Sequence, residues 1–223
     1  METSHQAHCT SDEQHMISFR HCHPRNASIL CFQVPDQCPL CQTRLSSVRL
    51  PSPPVRYPSV FVSSSVAPCS IIIKPTVGTF LNDYKDGANL HAGITNTKGS
   101  VYGYDENGVQ VSGGRLSWKQ CVTVSLIDQY DDDIKEGWDK GLQEMAGNAC
   151  WTKEKYHESL HNCFDFVVGF LNHVHYNQMK WNKPDDITRN KVCHEYIVPL
   201  TTRASKYISV YRCVQQQGFI IKE

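Results

Sequence analysis

The sequence predicts an α+β fold, an antiparallel sheet packed on helices, with a small Cys-rich segment ahead of it. Three observations predict it. Short β-branched runs separated by turn formers recur between about residues 69 and 127. Beyond residue 130 the apolar spacing changes to the three- and four-residue steps of amphipathic helices. Residues 19–45 concentrate His21, Cys22, His23, Cys31, Cys38 and Cys41.

The elements follow in chain order. Residues 1–18 are polar and aperiodic and read as a disordered tail. Residues 46–68 hold Pro51, Pro53, Pro54, Pro58 and Pro68 among many serines, the composition of an extended linker, with Val60-Phe61-Val62 as a short strand inside it. The main domain is expected over 69–223. Cys69 to Ile73 reads as a strand, and Thr79 to Tyr84 as a short helical or turn segment. Leu90 to Asn96 and Ser100 to Tyr104 make a hairpin about the turn Asn96-Thr97-Lys98-Gly99. A second turn, Asp105-Glu106-Asn107-Gly108, leads to Val109–Val111, and Cys121 to Ile127 is a further strand. Asp131-Asp132-Asp133 suits the positive end of a helix dipole, and Ile134, Trp138, Leu142 and Met145 recur behind it up to Gly147. A second helix is expected from Cys163 to about Tyr176. A third carries Ala204, Tyr207, Ile208, Tyr211 and Val214, ends at Gly218, and leads to a closing strand at Phe219-Ile220-Ile221.

Composition excludes several function classes. The 223 residues carry 22 basic and 22 acidic side chains, so no electrostatic footprint for nucleic acid is present. No apolar run approaches the eighteen or so residues of a transmembrane segment. The first residues, METSHQAHCTSDEQHM, are not a signal peptide. The eleven cysteines are therefore read as thiols of a reducing compartment, cytoplasmic or nuclear, serving as ligands, core residues or a nucleophile.

Two groups of residues carry candidate chemistry. Cys38-Pro39-Leu40-Cys41 has the two-residue gap that lets both sulfurs reach one tetrahedral metal. Cys22 lies upstream, and His21, His23 and Cys31 compete for the fourth place, with Cys69 an outside candidate. The metal would be a structural zinc, because four protein ligands leave no open position and so small a segment cannot bury a sufficient core alone. Incidental thiols on a loose tail are the alternative.

The second group centres on Cys163, placed by the pattern in the first turn of a helix. Unpaired N–H groups and the helix dipole favour a thiolate there. A thiolate nucleophile also needs a base. Among eleven histidines, His91 heads a strand in His91-Ala92-Gly93-Ile94, which anchors an imidazole and leaves room for a helix end. A buried core Cys on an apolar helix face is the plain alternative.

His-x-Gly at a strand start, a short hairpin, then a helix opening with Asn162-Cys163-Phe164-Asp165-Phe166 resembles the permuted papain-like (NlpC/P60-type) thiol enzymes. These include the lecithin:retinol acyltransferase-like proteins and the PPPDE-type peptidases. That resemblance covers about residues 70–176 and implies a Cys163–His91 hydrolase or acyltransferase site. Its partner would be a protein or an acyl substrate: an isopeptide, a lipid ester or another amide. At closer range His91-Ala92-Gly93-Ile94-Thr95-Asn96-Thr97, Val101-Tyr102, His161-Asn162-Cys163 and Arg203-Ala204-Ser205-Lys206-Tyr207 resemble the vertebrate makorin-2 opposite-strand family over about residues 19–223. One departure stands out. Enzymes of this layout present a third polar residue from the next strand, and here that position falls on Gly103, leaving His161 or Asn162 as substitutes from the helix side. Without an orienting partner the imidazole loses its fixed tautomer, and the competing expectation is a catalytically inactive fold used as a protein-interaction module.

Overall fold

The structure is a computed structural model that describes residues 14–22, 27–112, 118–127 and 132–222, leaving aside the side chains at 132 and 133. Most of the expected tail, together with His23, lies outside the described residues. Nine strands are described: β1 (Ile17–Phe19), β2 (Ser28–Cys31), β3 (Val55–Arg56), β4 (Ser70–Pro75), β5 (Leu90–Thr95), β6 (Val101–Asp105), β7 (Gly108–Ser112), β8 (Val122–Ser125) and β9 (Phe219–Lys222). They form two antiparallel sheets, β3-β1-β2-β9 and β7-β6-β5-β4-β8. Five α-helices accompany them: α1 (Asp132–Ala146), α2 (Cys163–His173), α3 (Tyr176–Trp181), α4 (Arg189–Val192) and α5 (Val198–Gln217). No described helix is long and apolar enough to cross a membrane.

The chain divides into two compact units. The smaller comprises residues 1–59 and 209–223. Its sheet is small because β1 and β2 are short, and β9, which follows α5, supplies an edge by pairing Phe219 with Cys31 and Lys222 with Ser28. Its core joins Phe19, Ile29, Cys31, Cys38 and Leu45, and Phe32 meets Tyr211 edge-on at 5.0 Å. The stretch expected as a linker contributes β3, and Tyr57 donates its N–H to Met16 O at 2.8 Å.

The larger unit spans 60–208. Its sheet register sets the two faces. Pairs directly opposite share a face, so Ile72 and Lys74 of β4, His91 and Gly93 of β5, and Gly103 of β6 lie together. Ala92, Ile94, Tyr102 and Tyr104 take the other face. There α1 and α2 cover them: Trp138 donates to Thr95 O at 2.9 Å, its ring meets Phe170 at 4.7 Å, and Tyr104 faces Phe166 at 6.3 Å. On the first face Trp118 packs with Ile72, Val101 and Cys121. The expected Val60–Val62 strand reduces to one isolated bridge, Val62 to Cys121. The second helix stops at His173, earlier than expected, because His175 adopts a left-handed backbone (φ 51) and restarts the chain as α3. Between α4 and α5 the helix runs through a π turn at Cys193–Ile197, a wide turn that apolar periodicity does not signal.

Candidate functional site

The smaller unit gathers the first set of donors. Strand β1 ends just before His21 and Cys22, and a tight turn presents Cys38 and Cys41. That turn closes through Gln42 N–H to Cys38 O (2.8 Å) and Cys38 N–H to Thr43 O (2.9 Å), with Gln42 at φ 61. The ligand atoms of His21, Cys22, Cys38 and Cys41 all lie within 4.8 Å of one another. Cys22 Sγ is 3.6 Å from Cys38 Sγ and 3.6 Å from His21 Nδ1, while Cys41 Sγ is 3.4 Å from His21 Nδ1. A tetrahedral zinc with Zn–S bonds of about 2.3 Å separates its sulfurs by roughly 3.8 Å, so the donor set fits that ion in type, number and spacing. Hydrogen bonding to Thr43 lowers the Cys41 thiol to about 6, whereas its hydrogen bond with Cys41, together with burial, raises Cys22 to about 12. The cluster thus accepts a first negative charge and resists a second, a resistance a divalent cation relieves. Cys31, weighed as a ligand, is instead fully buried in the core, where burial pushes its thiol up to about 11. It belongs to β2, whose alternation turns it towards Phe19 and Ile29. Cys69, the outside candidate, stands just ahead of β4 in the larger unit.

The second set lies in the larger unit. Asn162 caps α2: its Oδ1 accepts Phe164 N–H at 2.9 Å, and its own N–H is held by Asp165 Oδ2 at 2.9 Å, a complete capping box. Arg189 Nη1 donates to the same Asp165 oxygen at 3.3 Å. This cap fixes the amino end of α2 and hence the Cys163 thiol. The N–H groups of Ala92, Phe164 and Cys163 all act on that sulfur in the direction that favours a thiolate, and Arg189 does likewise, but burial outweighs them and raises the thiol pKa.

Cys163 and His91 line one cavity of about 560 Å³, with Lys74, Asp105, Trp118 and Glu158 on its walls. The sulfur meets β5 at Ala92, the residue next to His91. Among the described residues no hydrogen bond joins the His91 ring to the thiol. Burial, then the Lys74 charge, holds the imidazole below its ordinary value, with Asp105 and Glu106 pulling weakly the other way. Both groups are therefore neutral at neutral pH. A Cβ built on Gly103 would stand 3.3 Å from His91 Nε2. Position 103, which the resemblance assigns to an orienting side chain, does face the imidazole, and it carries no side-chain atoms.

The substitutes weighed from the helix side are engaged elsewhere. His161 stacks on Trp151 at 4.5 Å, with its Nε2 2.9 Å from Cys150 O. Asn162 spends its side chain on the cap and on Glu158 O. Trp118, Lys74 and Arg189 escaped the sequence reading. The β4–β5 register sets Lys74 opposite His91, a pairing that no local sequence signal announces.

Residues 54–214 match the family described as DUF4796 C-terminal, and residues 14–45 match that described as DUF4796 N-terminal. The human MKRN2 opposite strand protein is 33% identical over 216 residues, covering 97% of this chain and 93% of the relative. No solved structure matches the chain.

Proposed function

The chain belongs to the DUF4796 family, and for it we propose a thiol-dependent acyl-transfer or hydrolase site on a permuted papain-like frame, with Cys163 as nucleophile and His91 as base. The observation that carries this reading is the capped amino end of α2, which holds the thiol at Ala92 N–H, beside His91, in a shared cavity. His91 Nε2 faces Gly103. In the reaction the S–H proton passes to the His91 ring through one water in the shared cavity as the S–C bond forms. The carbonyl electrons move to oxygen, held by the backbone N–H of Cys163, and the imidazolium then protonates the leaving group. Water or a second acceptor resolves the thioester.

A second reading, a non-catalytic binding module, draws support from the neutral, unbonded pair and from Gly103. A thiol-acylating β-lactone separates the two. The first reading expects acylation of Cys163 ahead of the exposed Cys150 and a loss of roughly 100-fold in His91→Ala, the scale of general base catalysis. Acylation confined to Cys41 and Cys150, indifferent to His91→Ala, removes the enzyme reading and leaves the module.

For the smaller unit we assign a structural zinc to His21, Cys22, Cys38 and Cys41. Four protein ligands leave no position for substrate, so the ion would tie the end of β1 to the Cys38–Cys41 turn.

A further inference from the structure

We infer that Trp118, lying over the side-chain-free strip made by Gly93 and Gly103, positions the His91 ring by a tilted ring-to-ring contact, in place of a hydrogen-bonding side chain on β6. This rests on the reading of His91 as the base of the proposed site.

Four observations carry it. Gly93 and Gly103 are direct cross-strand partners, so two missing side chains lie side by side on the face that carries His91. A Cβ on Gly93 would meet Trp118 Cη2 at 3.5 Å, and one on Gly103 would meet Cζ2 at 3.7 Å. These are ordinary contact distances: the tight neighbours of such a Cβ are Val101 Cγ1 (2.7 Å) at Gly93 and His91 Nε2 (3.3 Å) at Gly103, while the indole lies over both positions with room for no more than a methyl, and any longer side chain on either strand would lift it. The His91 ring lies 5.4 Å from the Trp118 ring, inclined by 32°, within the range of favourable aromatic pairs. Lys74, the cross-strand partner of His91, holds its Nζ 5.2 Å from the centre of the same indole, a cation–π contact that fixes the indole from the β4 side. Trp118 is 4% exposed, so the glycine strip, the imidazole and the ammonium leave the ring little freedom. Gly103 is then a requirement of this arrangement: an orienting side chain there would occupy the place of the indole edge.

A packing role for Trp118 needs apolar volume, whereas a positioning role needs an aromatic plane at His91. Trp118→Leu and Trp118→Phe separate them, read by NMR titration of the His91 ring proton and by the pH profile of Cys163 acylation. Trp118→Leu is expected to lose the ring-current shift of the His91 proton, to move its titration midpoint up towards the ordinary histidine value, and to slow acylation roughly tenfold or more, the scale of a small misplacement. Trp118→Phe is expected to retain most of each. A folded Trp118→Leu whose His91 resonance and titration match the unaltered protein overturns the inference. If Trp118→Leu does not fold, Gly103→Ala sets a methyl against Nε2, and an unshifted His91 resonance there overturns it equally. A protein in which Cys163 never acylates removes the enzyme reading, while the NMR comparison still decides the role of Trp118.

Discussion

In the smaller unit three thiols and an imidazole crowd within 4.8 Å of one another, whereas in the larger unit one thiol and one imidazole share a cavity without bonding. The residue types are the same and the surroundings differ. The first cluster sits on turns at the edge of a small sheet, where donors converge and their charges conflict. The second is held apart by regular structure: α2 delivers the sulfur along one face of a sheet, and β5 sends the imidazole to the other. Convergence with unresolved charge is what a metal stabilises, while separation in a cavity leaves space for a third molecule. Identity of side chain thus says less about chemistry than whether the backbone lets the donors meet.

The sharpest way to break that contrast is to remove the ligands. Cys38→Ser or a strong chelator should abolish zinc in metal analysis and cost the smaller unit several kcal/mol, the scale of structural zinc sites, read as loss of amide protection in β1 and β2. A folded, zinc-free protein with unchanged protection would place the first cluster with the second, as donors that hold nothing. In the larger unit the expected effects are smaller. Asn162→Ala removes the cap of α2 and should cost about 1 kcal/mol in denaturant unfolding, with faster exchange at Phe164 N–H. An unchanged midpoint would mean the cap does not hold the thiol's helix.

The gentlest probe is pH. His91 has a lowered pKa in the folded state, so the unfolded chain binds more protons as the solution is acidified below about 6.5. Its contribution is fully present above that pH and declines as pH falls through the folded value. Cys163 has the opposite sign: its raised pKa gives stability that is present below the unfolded thiol value and lost as pH rises through the folded one. Urea titrations of His91→Phe should therefore flatten the acid limb only, and those of Cys163→Ala the alkaline limb only. A His91→Phe protein with an unaltered acid limb would mean the imidazole is not neutral and buried.

Much of the larger sheet was legible because its strands announce themselves locally. The Asn96–Gly99 turn, with Gly99 at φ 76, fixes the β5–β6 hairpin, and the Asn162-to-Asp165 spacing marks the start of α2. Cys163 and His91 could be brought to one region from those two elements alone. The smaller sheet was not legible, since β1 and β2 are three- and four-residue strands whose neighbour β9 comes from the other end of the chain. Such pairing leaves no local period. The role of Cys31 was hidden for the same reason: without its strand it looks like any thiol of the cluster. Trp118 was invisible because its partners are absences, two glycines and the face they expose.

The pairing of β9 with β2 has a consequence for biosynthesis. As the polypeptide leaves the ribosome, the donors between His21 and Cys41 are complete early, whereas one edge of β2 stays open until Phe219–Lys222 has been made. An open edge of Ile29, Leu30 and Cys31 invites pairing with other chains. Nascent chains stalled before β9 should show this open edge as aggregation.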